Sequence, residues 1–417
     1  YPGLDLLRSG AVVRSEDLES VERAVPGTVI RIAMISHLSE VSGACTSLVE
    51  AAAGLDPARF DARVILPGHG PLEGRAREAG LTAVVIPNEE RSMAAASPAE
   101  RLRMALGRAG YVARLARFLR RERFDLVYVS STASVFAGIA ARLAGIPVVW
   151  HVHETLENPG RAVRTKMRIV ERLSSGLLYD SYSGEECFPG RRVRHRMVTR
   201  NRVDVKLFST ANALTAEERA RLGIAPDAAI ILTNGQIRRK APDLLIRAYA
   251  RLSPQDREGT ALVILGEAPE ESKEFAVSLR RLAEELGVAR QVVFAGLRHD
   301  VPVFMRSAAV YVSASRNEAL PIALCEAMAA GAPVIATAVG DCRRLLEDGR
   351  LGVVIPPDDE TALAGALTSV LRSPQEAAGR ARIAHEKIMA LYGGNDFWRP
   401  LEEFLIRVWE EARNGRR

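Results

Sequence analysis

Short β-branched runs alternate with longer helical stretches along most of this chain. The first runs are IRIAMIS (30–36), ARVIL (62–66), TAVVI (82–86), DLVYVS (125–130), IPVVW (146–150) and GLLYD (176–180). A second series follows: AIILT (229–233), ALVIL (261–265), QVVFA (291–295), AVYVS (309–313), PVIAT (333–337) and GVVI (352–355). Runs that are apolar on both faces and separated by helices are what a parallel sheet covered on both sides requires. An eight-fold barrel would repeat evenly through residues 200–225, where this pattern pauses in a polar connector. The expected fold is therefore α/β, with two doubly wound Rossmann-like domains facing a central cleft. The expected divisions are an extension at 1–28, a first domain at 29–205, a second at 206–393 and a C-terminal helix at 394–417. That last helix sets Phe397, Leu401, Phe404, Leu405, Val408 and Trp409 on one side, which predicts burial against one of the domains, the first being a candidate.

Composition narrows the class. Apolar residues make up 47% and charged residues 26% of the 417 positions, an ordinary globular balance. No apolar run reaches transmembrane length, and the opening residues show no signal-peptide pattern. Cys45, Cys187, Cys325 and Cys342 show no CxxC spacing, which argues against a zinc, redox or disulfide framework and for a reducing, cytoplasmic setting. The net charge of +6 is uneven, since residues 101–200 hold 19 Lys and Arg against 8 Asp and Glu. Within that excess, residues 101–125 read in two ways. They are either a helix with a solvated Arg face and Leu115, Phe118 and Leu119 on the sheet, the favoured reading, or a weak peripheral contact with the inner face of a membrane. No aromatic–basic interleaving points to nucleic acid.

Neither a GxGxxG fingerprint after the first strand nor a GxxxxGK[ST] loop is present, which disfavours nicotinamide dehydrogenases and P-loop ATPases. Chemistry concentrates instead in three segments. In SASRNEALPIALCEAMAAGAPVIATAVGD (313–341), a strand should end near Ser313 and a helix begin near Leu320, with Pro321 in its first turn and Gly331 at its stop. Free N–H groups at such a helix start suit phosphates. Glu318 then precedes the helix and Glu326 lies ~8–9 Å into it, a spacing that suits a sugar and a ribose of one extended ligand and that two glutamates also reach by chance. In NGQIRRKAPDLL (234–245), Gly235 follows a strand, and Arg238, Arg239 and Lys240 form a basic cluster able to neutralise a diphosphate, or else a solvated loop. In PVVWHVHETLENPG (147–160), His151 and His153 share one strand face. No third zinc ligand is visible, so His153 is read as facing a ligand and His151 as structural.

Taken together, these segments resemble glycosyltransferase family 4, retaining enzymes of the GT-B fold. The resemblance rests on Glu318-x7-Glu326 ahead of AMAAGAPVIAT, on VTRNRVDVKLF (198–208), FAGLRHDVP (294–302), DGRLGVVIPPDD (348–359) and LVILGE (262–267), and on SGACTSLVEAAAGL (42–55). It implies a nucleotide-diphosphate sugar as co-substrate, UDP- or GDP-linked, a hydroxyl-bearing acceptor, no resident cofactor and no DxD-bound metal. Carried over, Glu326 would hold the ribose, and Glu318 and His153 the transferred sugar. Arg238 and Lys240 would neutralise the diphosphate, Gly43 and Gly235 would let backbone approach it, and the amides of Ala319, Leu320, Pro321 and Ile322 would frame the phosphate site. Gln236, Arg202, Ala319 and Arg344 stand where the family usually has Arg, Gly, Gly and Glu. A nucleotide-sugar epimerase of related fold and an inactive sugar-nucleotide binder are the competing readings.

Overall fold

The computed structural model describes residues 28–88, 97–154, 160–188, 190–199, 201–394 and 396–415. Of the expected N-terminal extension, only residue 28 falls among them. The chain divides into two compact units, Tyr1–Arg202 with Asp396–Arg417, and Val203–Asn395.

The first unit is built on seven parallel strands, β1 (Ile30–Ile35), β2 (Phe60–Leu66), β3 (Thr82–Val85), β4 (Leu126–Ser130), β5 (Val148–Val152), β6 (Gly176–Tyr179) and β7 (His195–Val198), in the order β3-β2-β1-β4-β5-β6-β7. Side chains of β1 alternate between two cores. Ile30, Ile32 and Met34 meet the helices Gly43–Gly54 and Pro71–Glu78 on one face. On the other face, Ala33 and Ile35 meet the helices Pro98–Arg121, Val135–Leu143 and Arg161–Leu173. The C-terminal helix Arg399–Asn414 joins the first of these cores through Leu401, Phe404, Leu405, Val408 and Trp409. Strand β7 lies outside the expected set. It is an edge strand in which only Met197 is buried, so HRMV has no apolar run to betray it.

The second unit has six parallel strands, β8 (Ala229–Asn234), β9 (Thr260–Leu265), β10 (Val292–Gly296), β11 (Ala308–Ser313), β12 (Val334–Thr337) and β13 (Val353–Ile355), in the order β10-β9-β8-β11-β12-β13. All six runs expected here form strands. The connector is more structured than its polarity suggests. It holds the helices Val205–Ser209 and Ala216–Arg221, the latter with a Thr215–Glu218 capping box, and buries Val205 and Phe208.

In each sheet the strand order reverses once, between β1 and β4 and between β8 and β11. Open parallel sheets place ligands outside the carboxyl ends of the strands at such a switch point, because the flanking loops diverge there and leave a crevice.

Candidate active site

At the switch point of the second unit, β8 runs into Gly235, whose φ of +90° turns the chain sharply. A single 3-10 turn, Arg238–Lys240, follows and ends on Ala241 in the left-handed region. The loop after β11 lies alongside it. The Arg316 amide donates to the Arg239 carbonyl at 2.8 Å, and the Arg239 guanidinium donates to the Asn317 carbonyl at 3.1 Å. Arg316 locks the pair of loops further, forking onto Asp243 at 2.8 and 3.0 Å and reaching Asp358 at 2.7 Å.

This clamp delivers Glu318 between two cations. Its Oε1 lies 2.6 Å from Lys240 Nζ and its Oε2 2.6 Å from Arg239 Nη1, while Ser315 Oγ donates to Oε1 at 3.0 Å. Glu318 is only 8% exposed. Burial pushes its pKa upward, but the charges of Lys240 and Arg239 outweigh it and hold the carboxyl below the ordinary carboxylate range. Arg239 carries this contact. Arg238, the neighbour singled out from sequence, instead lays its guanidinium over the Phe275 ring, 4.8 Å from the centroid. Three adjacent cations in a sequence do not reveal which of them a 3-10 turn will point at the carboxylate.

The helix after Glu318 spans Ile322–Ala329, two residues later than expected, with Pro321 as its N-cap rather than in its first turn. Glu326 is therefore one turn in, ~6 Å from the start at 1.5 Å per residue. No side chain caps this helix, so the amides around Ala319, Leu320 and Ile322 are left to an external acceptor. The loop is held from behind by Asp341, whose amide donates to the Ala319 carbonyl at 2.8 Å. Gly340 makes that approach feasible: its φ is +50°, and a Cβ there would sit 2.2 Å from the carbonyl oxygens of Glu318 and Ala319. Gln236 is buried, and its amide group donates to the Gly266 carbonyl, tying the ends of β8 and β9 together. Tyr311, beneath the site, donates to Asn234 Oδ1 at 2.6 Å; burial, then Glu326 and Glu318, raise its pKa well above the usual phenol value.

The switch point of the first unit has a different character. Gly43 opens the helix Gly43–Gly54, with Ser42 as N-cap and open space where its Cβ would be. His151 is fully buried in β5 and bonds through Nδ1 to the Tyr128 hydroxyl, and burial, with His153 second, drives its pKa well below the usual histidine value. His153 stacks near it, ring centroids 3.9 Å apart. Its Nδ1 is 3.2 Å from Asp180 Oδ2 and its Nε2 is 3.1 Å from Ser130 Oγ. Asp180 continues to Asn201, whose Oδ1 accepts from Ser47 Oγ at 2.7 Å. Glu154 accepts from the Ser131 and Thr132 hydroxyls at 2.5 and 3.0 Å and from the Thr132 amide at 2.9 Å. His37, at the end of β1, has its pKa lowered by burial and by His153, with Glu154 opposing. Asp180 Oδ1, His37 Nδ1 and His151 Nε2 are buried without a partner. A sequence reading does not single out Asp180, Glu154 and Asn201, because each is a single polar residue after a strand, although Glu154 and Asn201 lie within PVVWHVHETLENPG and VTRNRVDVKLF.

Residues 42–235 match the family model described as Glycosyl transferase 4-like domain, and residues 215–387 match the model Glycosyl transferases group 1. A D-inositol 3-phosphate glycosyltransferase of Stackebrandtia nassauensis is 36% identical over 193 residues, covering 45% of this chain and 42% of the relative. One from Streptomyces scabiei is 31% identical over 294 residues, covering 64% and 65%. The chain thus spans about two fifths to two thirds of the length of the curated relatives it matches. Among solved structures, Anabaena Alr3699/HepE in complex with UDP-glucose superposes with a TM-score of 0.74 at 22% identity, over 93% of this chain and 99% of that one. Sucrose-phosphate synthase from Thermosynechococcus elongatus gives 0.71 at 18% identity, over 92% and 100%. At such identities the structural likeness speaks for the fold alone. With both family models matched in tandem over two switch-point sheets, the chain belongs to the family 4-type glycosyltransferases of the GT-B fold.

Proposed function

We propose that the protein is a retaining glycosyltransferase that moves a hexose-type sugar from a nucleotide-diphosphate sugar to an acceptor hydroxyl. The observation that carries this reading is the ionised, buried Glu318 gripped by Lys240 and Arg239 just ahead of an uncapped helix. A carboxylate held in place by two cations accepts hydrogen bonds from sugar hydroxyls without itself moving. The helix start beside it suits a diphosphate, whose charge the basic loop 238–240 offsets.

In this reading Glu326 holds the ribose diol, Glu318 and His153 contact the transferred sugar, and the amides of Ala319, Leu320 and Ile322 receive the phosphates. Gly43 and Gly235 keep backbone close to them. The acceptor oxygen forms a bond to the anomeric carbon as the bond from that carbon to the phosphate oxygen breaks, and the acceptor proton passes to the departing diphosphate on the same face. No protein general base is assigned. The Lys and Arg side chains and the helix dipole serve where other transferases use a bound metal ion.

Relatives named for D-inositol 3-phosphate make a phosphorylated polyol the first acceptor to offer. The solved neighbour with UDP-glucose makes UDP sugars the first donors. The test is nucleoside diphosphate release from a panel of UDP and GDP sugars, with and without D-inositol 3-phosphate and with chelator present, and the product anomer read by NMR. Acceptor-dependent release with the anomeric configuration kept supports the proposal. An inverted product contradicts the retaining mechanism, and sugar interconversion without acceptor or release identifies an epimerase.

A further inference from the structure

The first sheet has an opening at the strand ends opposite its switch point. Residues 144–147 run from the helix Val135–Leu143 into β5, residues 174–175 run into β6, and Arg194 leads into β7. The C-terminal helix Arg399–Asn414 closes against these entries, because β6 starts on a glycine. A Cβ on Gly176 would lie 2.9 Å from Val408 and 3.0 Å from Phe404, so a larger residue would push the helix away. Between these pieces lies a cavity of about 490 Å³, within the range of small-molecule sites.

Part of the cavity wall is apolar, from Pro147, Val408 and Ala412. Its polar groups form an unbalanced set. Among the described residues that line it, Glu411 is the only acid, and both of its oxygens are engaged, Oε1 by Arg194 Nη1 at 3.0 Å and Oε2 by His195 Nε2. Burial pushes the Glu411 carboxyl up, but His195 and Arg194 outweigh it and hold it below the ordinary carboxylate range. Arg142 has no such partner: among the described residues nothing accepts from its guanidinium, and the neighbouring Leu143 carbonyl accepts from Arg120 instead. Ser175 Oγ accepts from the Val148 amide at 3.3 Å and keeps its own proton to donate. Donors thus outnumber acceptors, and the unmet ones share the cavity with an apolar wall.

We propose that this cavity binds a small organic anion, a phosphate or carboxylate carried on an apolar ring, with Arg142 and Ser175 donating to the anion and Pro147, Val408 and Ala412 covering the ring. A bare phosphate would leave the apolar wall wet, and a hydrocarbon would leave Arg142 and Ser175 unmet. A cation would face Arg142 with the Glu411 charge already neutralised. Strands β5 and β6 border the cavity at one end and deliver His153 and Asp180 at the other, separated by about 15 Å of strand. The ligand therefore leaves the candidate active site free. The inference does not depend on the transferase reading.

The test is a ligand-observed NMR titration of the full chain with phenyl phosphate and with benzoate. Inorganic phosphate serves as the head without the ring, and benzylamine as the ring with the opposite charge. Three variants are run alongside: R142E, A412F and, as a control outside the cavity on the helix Pro71–Glu78, R75E. The wild type and R75E are expected to bind at least one aromatic anion saturably, with a Kd of about 1 mM, and the stronger of the two identifies the head as phosphate or carboxylate. Inorganic phosphate should bind at least fivefold more weakly, and benzylamine not at all. R142E should lose at least tenfold through the missing charge-assisted contact, and A412F as much, because its ring fills the ligand's place. Arg142 and Arg75 are exposed and Ala412 is half-buried at the cavity, so unchanged melting temperatures are expected. Saturating UDP-glucose should leave the titration unchanged. No binding of either aromatic anion to the wild type, equal binding of benzylamine, retention of binding by both R142E and A412F, or displacement by UDP-glucose would overturn the proposal.

Discussion

The two sheets reverse strand order in the same way, yet their switch points are furnished oppositely. In the second unit the centre is an ion triple, with Glu318 fixed between Lys240 and Arg239 and its loop clamped by Arg316. In the first unit the centre is a nest of histidines, hydroxyls and two carboxylates, with His37 and His151 held toward their neutral forms by burial. One fold thus builds a site that fixes a carboxylate between two cations and another in which burial holds two histidines toward their neutral forms. The difference follows from what surrounds each strand end, because a doubly wound sheet specifies where a crevice opens and leaves its chemistry to the loops.

The largest expected effect comes from breaking the ion triple. Glu318→Gln keeps the shape but strips Lys240 and Arg239 of their counter-charge, and sugar transfer should fall ~100–1,000-fold while His153→Ala falls less. Equal losses would erase the distinction between the two centres.

Gly340→Val comes next. A side chain at φ +50°, with its Cβ 2.2 Å from two carbonyl oxygens, forces the Glu318 loop to move. A cost of ~3 kcal/mol is expected from combined strain and overlap. The three tryptophans, Trp150, Trp398 and Trp409, all lie in the first unit, so their fluorescence reports that unit alone while far-UV dichroism reports both. Urea unfolding of the variant should shift the dichroism transition and leave the tryptophan transition in place. A matching shift in both signals would mean that the two units unfold together.

Acidification sharpens the contrast. His151 has a folded pKa well below its ordinary 6.5, so below that pH the unfolded chain takes up a proton that the folded one refuses. Stability of the first unit is complete above that value and declines below it, by about 1.4 kcal/mol per pH unit for one such group. Glu318 has the opposite chemistry: its lowered pKa contributes stability above the ordinary 4.5, which is lost only as pH falls through the still lower folded value. Between pH 6.5 and 4.5, the urea midpoint read by tryptophan should therefore fall more than the part of the dichroism transition belonging to the second unit. The reverse order would contradict these assignments.

The smallest effect is Asp180→Asn, which keeps the volume and loses the charge facing His153 Nδ1 at 3.2 Å. A change of ~1 kcal/mol in the tryptophan-detected transition is expected, as for one buried hydrogen bond.

How much of this was legible in the sequence differs between the same two regions. The second sheet was readable strand by strand because each run is apolar on both faces, and Glu318 and Glu326 stood out because a regular spacing before a helix is visible in one dimension. The same reading placed the helix start at Leu320, since a proline in a first turn and a proline at an N-cap look alike without dihedral angles. It gave no sign that Arg239 would pair with Glu318, because that contact depends on a 3-10 turn ending on left-handed Ala241. In the first unit, Asp180 reaches His153 from the end of β6, and Asn201, after β7, reaches Asp180 in turn; neither contact is visible in the linear sequence. Strand β7 was hidden for the related reason that an edge strand needs little hydrophobicity.

The central claim is that the second unit binds a nucleotide-diphosphate sugar through Glu326 and the helix start at Ile322. Calorimetric titration of UDP and UDP-glucose into the wild type and Glu326→Ala tests it most directly, with GDP and its sugars run in parallel. The account predicts saturable binding of one nucleotide class to the wild type and at least a tenfold loss in the variant, the scale expected when a charge-assisted hydrogen bond to ribose is removed. Binding unchanged by Glu326→Ala, or no binding of any of these nucleotides to the wild type, would contradict it.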